Sequence, residues 1–287
     1  MPLGHTIAEL LSRGGKLLAL SSESPRLDAE VLLAFVLEKS REHLHTWPEQ
    51  VVATDRARLY EDLLQRRTRR QPVAQLTGHK EFWSMQLEVT SDTLIPRPET
   101  ELLVEQALHR IPPGQACTVL ELGTGSGAVA LALARERPRC AIAATDVSPP
   151  ALAVARANAQ RQALDNVRFI LSDWFEALGI EHFDVIVSNP PYVAEDHPDL
   201  EDQDISFEPR IALAAGLQGL DAIRRIAAGA CTHLKSGAWL LLEHGDEQGD
   251  AVVDILRGAG LTDCSNYVDL AGRSRVTEGQ KPRTEDT

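Results

Sequence analysis

The apolar run Phe183-Asp184-Val185-Ile186-Val187-Ser188 stops at Asn189-Pro190-Pro191-Tyr192, and no other junction constrains the chain so tightly. The run reads as a buried strand. Two consecutive prolines remove backbone donors and fix φ, so the chain can neither continue the sheet nor turn at once into a helix. It must leave the strand in a stiff loop that presents an amide side chain and an aromatic ring. Ligands of open α/β sheets bind along that carboxyl edge. Asn189 offers one carbonyl acceptor and two donors, and Tyr192 offers a flat face. The pair suits a planar nitrogen-bearing group, either a carboxamide or a nucleobase amine. A rigid proline turn with a packed Tyr explains the tetrapeptide equally well, and its upstream partners decide between the two.

The first partner is the strand Val119-Leu120-Glu121-Leu122, which runs into Gly123-Thr124-Gly125-Ser126-Gly127 and then the alanine-rich helix from Ala128. Glycines permit close approach of backbone to a ligand, and a helix amino terminus favours a carboxylate or phosphate. The Gly-x-Gly-x-Gly spacing departs from the Gly-x-Gly-x-x-Gly of dinucleotide sites. A second strand, Cys140 to Asp146, ends in a carboxylate about 20 residues past the turn, where such folds hold the ribose hydroxyls of an adenosine. An acid that merely opens the turn before Ser148-Pro149 is the plain alternative. A third strand, Val167 to Leu171, ends at Ser172-Asp173-Trp174. There Asp173 is a candidate acceptor for an adenine amine and Trp174 a candidate wall, with core packing as the rival role for the Trp. Four strand ends thus converge on one edge, and the set suits S-adenosylmethionine better than a nicotinamide cofactor.

Charge bears on the substrate. Residues 1–80 carry 12 basic and 10 acidic side chains, whereas residues 81–287 carry 17 and 32. An acidic catalytic half repels polyanions, so no direct nucleic-acid partner is expected. The basic run Arg66-Arg67-Thr68-Arg69-Arg70 is the local exception, either a solvated helix face balanced by Glu61 and Asp62 or a docking patch. The four scattered cysteines and the amino terminus, which lacks a secretory signal, point to a cytoplasmic protein. No apolar run approaches a bilayer's span, so no membrane partner is expected. The cysteines and nine histidines lack metal-ligand spacing, and no metal is expected.

Along the chain, residues 1–78 show helical periodicity and read as a small helical bundle that recognises the substrate. Residues 79–97 read as a hairpin linker, and residues 98–287 as the catalytic domain. In the linker, Arg97 between Pro96 and Pro98 is held where it can reach a neighbouring site. The long acidic connection after Tyr192 suits a lid or recognition loop. Seven strands, mostly alternating with helices, imply a doubly wound, largely parallel sheet of the Rossmann-like α/β class. A polar tail from about Glu278 is expected to fray.

With Ile95-Pro96-Arg97-Pro98-Glu99-Thr100-Glu101, the glycine turn, Ser188-Asn189-Pro190-Pro191-Tyr192, Glu208-Pro209, Glu243-His244-Gly245, Gln248 and Asp269 to Arg273 in place, nearly the whole chain resembles the HemK-type family. These are glutamine methyltransferases that modify class I peptide chain release factors. The resemblance implies S-adenosyl-L-methionine as cofactor, with its methionine part at Gly123 to Gly127, its ribose at Asp146 and its adenine beside Trp174. It implies that Asn189 bridges cofactor and substrate, and that Asn189, Pro190, Pro191 and Tyr192 hold the glutamine amide of a Gly-Gly-Gln loop. Two rivals remain. An adenine amino-methyltransferase acting on DNA or RNA shares the proline loop but needs a basic groove and stacking aromatics. A noncatalytic, translation-associated binding module would keep the pocket without turnover.

Overall fold

The computed structural model describes residues 4–201 and 205–283. They form two compact units.

The first unit runs to His79, and residues 205–207 cluster with it. Its five helices are α1 (Ile7–Leu17), α2 (Pro25–Leu37), α3 (Arg41–Thr46), α4 (Thr54–Thr68) and α5 (Val73–Thr77). Local chemistry sets their starts. Thr6 and Glu9 form a reciprocal capping box on α1, Pro25 occupies the first turn of α2, and the Ser40 hydroxyl caps α3. The apolar faces bury Ile7, Leu10, Leu32, Leu33, Leu44 and Leu64 around Tyr60, whose hydroxyl donates to the Ala29 carbonyl at 3.3 Å.

This packing corrects the reading of the basic run as one face. Arg67 is buried, and its Nε donates to Asp28 Oδ2 at 2.8 Å. Asp28 also accepts from the Ser22 and Ser24 hydroxyls. Arg66 bonds Gln71 within its own turn, and Glu61, expected to balance the run, pairs with Arg13. Only Arg66 and Arg69 of the five residues are exposed.

The second unit opens with the hairpin β1 (His79–Phe82) and β2 (Met85–Glu88). Its buried Phe82, Met85 and Leu87 join the core of the sheet that follows. That sheet comprises β3 (Thr118–Leu122), β4 (Ala141–Asp146), β5 (Val167–Leu171), β6 (Phe183–Ser188), β7 (Leu234–Glu243), β8 (Thr262–Val268) and β9 (Ser274–Gln280), in the order β5-β4-β3-β6-β7-β9-β8. The first five pair in parallel, while β9 runs antiparallel to both β7 and β8. Helices cover both sides, as a parallel sheet requires. On one side α6 (Glu101–Arg110) and α7 (Ala128–Glu136) contribute Leu103, Val104, Leu131 and Leu133. On the other, α9 (Asp221–His233) and α10 (Gly249–Gly258) contribute Ile223, Ile226, Val252 and Leu256. Between β4 and β5 lies α8 (Pro149–Arg161). The strand order reverses between β3 and β6, and a crevice opens at such a switch point.

The carboxyl-terminal strand departs from expectation. Glu278 does not fray, because β9 continues to Gln280 and buries the Glu278 carboxylate. Three hydrogen bonds from two side chains compensate that burial. Arg110 pairs with it through Nη2 and through Nε at 2.9 Å, and the Tyr267 hydroxyl donates at 2.6 Å. The Arg110 guanidinium in turn lies 3.7 Å over the Trp239 ring. Residues 284–287 of the expected tail lie outside the described residues. Among those residues no helix is long and apolar enough to cross a membrane.

Candidate active site

A cavity of about 470 Å³ opens at the carboxyl ends of β3, β4, β5 and β6. Gly123, Gly125 and Gly127 bend the backbone after β3 with φ of 73°, 54° and 86°, a path that side chains disfavour. The turn is strapped to β4. The N–H groups of Gly123 and Thr124 donate to the Thr145 carbonyl at 2.9 and 2.8 Å, and that of Gly125 donates to Asp146 Oδ2 at 2.8 Å. The other Asp146 oxygen accepts from the Ser148 N–H at 2.9 Å. Each carboxylate oxygen has a further lone pair, so Asp146 stays able to accept from a ligand in the cavity it borders.

Asp173 and Trp174 border the same cavity. Asp173 is shared, since Arg225 of α9 donates to its Oδ2 at 2.8 Å and also to Glu176. Trp174 adopts φ of 51° and stands against the turn, with its Cζ3 3.7 Å from where a Cβ on Gly123 would be. Thr124, Ser126, Asn189 and Pro191 complete the expected lining.

Gly127, Pro190 and Tyr192 do not border it. Pro190 is buried, and the Tyr192 hydroxyl donates to Glu243 Oε1 at 3.3 Å. Burial, and then the Glu243 charge, push the Tyr192 phenol well above its ordinary pKa. Asn189 donates from Nδ2 to the Thr100 hydroxyl at 3.2 Å. This fixes the amide and leaves its Oδ1 as an acceptor at the cavity edge.

Two acids that the strand pattern did not single out for roles belong to this site: Glu121 borders the cavity, and Glu243 bonds Tyr192 of the proline loop. Burial raises the Glu121 carboxyl to about 8, although Thr124 Oγ1 at 2.5 Å and the Ala130 N–H at 3.0 Å both favour its charged form. Burial likewise raises Glu243 to about 7, against the pull of Thr100, Tyr192 and Arg275. The available signal was an acid interrupting an otherwise apolar strand, as in Val-Leu-Glu-Leu and Leu-Leu-Leu-Glu. Arg97 also finds its place. It pairs with the buried Glu208, whose Oε2 accepts from the Ile95 N–H at 2.9 Å. The pair pins the segment carrying Pro209, Ile211 and Ala212 at the cavity wall.

A glycine turn tied to a strand-end acid, with an anchored Asn on a proline loop beside it, defines a Rossmann-like methyltransferase on this sheet. Residues 98–204 match the Methyltransferase small domain family, and residues 9–78 match the PrmC N-terminal domain family. The chain is 49% identical to the release factor glutamine methyltransferase of Pseudomonas aeruginosa, over 90% of this chain and 94% of that one. It is 46% identical to the release factor glutamine methyltransferase of Escherichia coli, over 98% and 99% of the two chains. A methyltransferase from Pyrococcus furiosus shares the fold, with a TM-score of 0.52 at 19% identity over 69% of this chain and 89% of that one. The chain belongs to the release factor glutamine methyltransferase family.

Proposed function

We propose that this chain transfers a methyl group from S-adenosylmethionine to the side-chain amide nitrogen of the glutamine in the Gly-Gly-Gln loop of class I peptide chain release factors, acting in the cytoplasm. The observation that carries this reading is the anchored Asn189 amide, whose acceptor oxygen is left at the edge of a cavity of cofactor size. The residues present fit the cofactor. The turn Gly123 to Gly127 receives the methionine part, Asp146 the ribose hydroxyls, and Trp174 flanks the adenine. Asp173 keeps one carboxylate oxygen for the adenine amine while Arg225 holds the other. When bound, S-adenosylmethionine supplies an electrophilic methyl group on a sulfonium centre.

The protein's own task is to make a poor nucleophile attack. A carboxamide nitrogen has its lone pair delocalised into the carbonyl. Acceptance of its N–H groups by Asn189 Oδ1 and the Pro190 carbonyl fixes the nitrogen and stabilises the positive charge that grows on it. Orientation and preorganised dipoles lower the barrier without a strong base. Pro191 stiffens the loop, and Tyr192, tied to Glu243, braces it from beneath.

The cofactor assignment is tested by titration calorimetry. Asp146→Ala removes the ribose acceptor and one strap on the turn, so affinity for S-adenosylmethionine falls by about tenfold or more. Unchanged affinity overturns the assignment of Asp146.

A further inference from the structure

Glu243 is the last residue of β7, and the β6–β7 register pairs Ser188 with Leu242. Asn189 and Glu243 therefore leave neighbouring strand ends side by side. Glu243 is 1% exposed and does not border the cavity, whereas the buried Thr100 and the half-buried Asn189 do. Its Oε1 accepts from Tyr192, while its Oε2 has no hydrogen-bond partner among the described residues. Thr100 lies close enough to favour the carboxylate's charged form. A buried acceptor without a partner, beside a hydroxyl that is already accepting from Asn189, calls for a role.

We infer that Glu243 is a positioning residue that sets the direction of the chain Glu243–Thr100–Asn189 and so decides which atom of Asn189 faces the substrate. The inference rests on the reading that Asn189 Oδ1 accepts from the glutamine amide. An ionised Glu243 can only accept, so it draws the Thr100 proton toward itself. Thr100 Oγ1 must then accept from Asn189 Nδ2, and Oδ1 is left for the substrate. A protonated Glu243 can donate to Thr100 instead. The Thr100 proton then turns to Asn189, its amide reverses, and an NH₂ meets the substrate NH₂. Around the carboxyl, Arg275 of β9 favours the charged form and Glu99 opposes it, with Tyr192 and Thr100 supplying the nearby hydroxyls.

The test follows the Asn189 side-chain NH₂ resonances in the unliganded protein from pH 5 to 9. They shift with the ionisation of Glu243, with a midpoint near 7 in the wild type, and lose this transition in Glu243→Gln. Resonances that stay put in the wild type, or titrate equally in Glu243→Gln, overturn the inference. This arm needs no substrate. A normal titration alongside no methyl transfer to release factor would therefore sink the proposed reaction and leave the inference standing.

Kinetics supply the second arm. Glu243→Gln lowers kcat by about 100-fold, with the Michaelis constant for cofactor within about threefold. Wild-type kcat falls as pH drops through about 7 because the ionised form is the competent one, and the variant lacks that limb. Thr100→Ser retains kcat and Thr100→Val loses it, which decides the matter even if Glu243→Gln fails to fold. Equal rates for the Ser and Val variants, or losses that multiply in the Glu243→Gln/Thr100→Val double variant, contradict action through Thr100.

Discussion

Asn189→Ala is expected to abolish methyl transfer, with kcat down by about 1000-fold or more. The substitution removes the acceptor that orients the substrate N–H and meets its growing positive charge. Thr100, the hydroxyl bonded to Asn189, cannot take its place, because it is committed to this amide from a buried position. Cofactor affinity should weaken only modestly, within about fivefold, because the turn at Gly123 to Gly127 and Asp146 are tied to each other and not to Asn189. Single-turnover rates beside calorimetric affinities separate the two effects. Retained turnover removes Asn189 from the mechanism, and a collapse of cofactor binding recasts it as a cofactor ligand alone.

The second large effect is at Gly219, which no motif marks. It adopts φ of 67°, and an added Cβ would lie 2.1 Å from the Tyr192 carbonyl oxygen and 2.8 Å from its carbon. Backbone in a proline loop cannot yield as a flexible side chain does. Gly219→Ala must therefore displace the segment carrying Asn189 and Pro190, and it disturbs Gln248, whose Nε2 donates to the same carbonyl at 3.0 Å. Misplacement by about 1 Å costs on the order of 100-fold in rate, and strained φ adds roughly 1–3 kcal/mol of destabilisation. Gly260→Ala is the control, since Gly260 has φ of 88° with nothing within 4 Å of the added Cβ. It should lose stability and keep its rate. If Gly219→Ala is destabilised but turns over at the wild-type kcat, the position of the proline loop is not set by this contact.

The strand ends and their punctuation were legible in the sequence because they are local. Proline pairs, glycine turns and a terminal acid act within a few residues of themselves, so the glycine turn, Asp146 and Asn189 could be placed on one edge without coordinates. The pairs that cross the chain could not. The Arg67–Asp28 bond spans 39 residues, and burial, which composition cannot show, separates Arg67 from its exposed neighbours. Glu278 sits in the polar stretch Thr-Glu-Gly-Gln-Lys and looked like tail, yet its partner Arg110 is 168 residues upstream. Arg97 reaches Glu208 across 111 residues. The Tyr192 hydroxyl bonds Glu243, 51 residues downstream, a partner that its place in the motif does not reveal. Glu243 shows the general reason, because a strand-end acid becomes informative only once its burial and its partners are known.

The most direct measurement is transfer of labelled methyl from S-adenosylmethionine to three acceptors in parallel: an intact class I release factor, its Gly-Gly-Gln→Gly-Gly-Ala variant, and duplex DNA. Label on the unmodified factor alone is the predicted result. Label on DNA, or equal label on the factor and its Ala variant, contradicts glutamine as the acceptor.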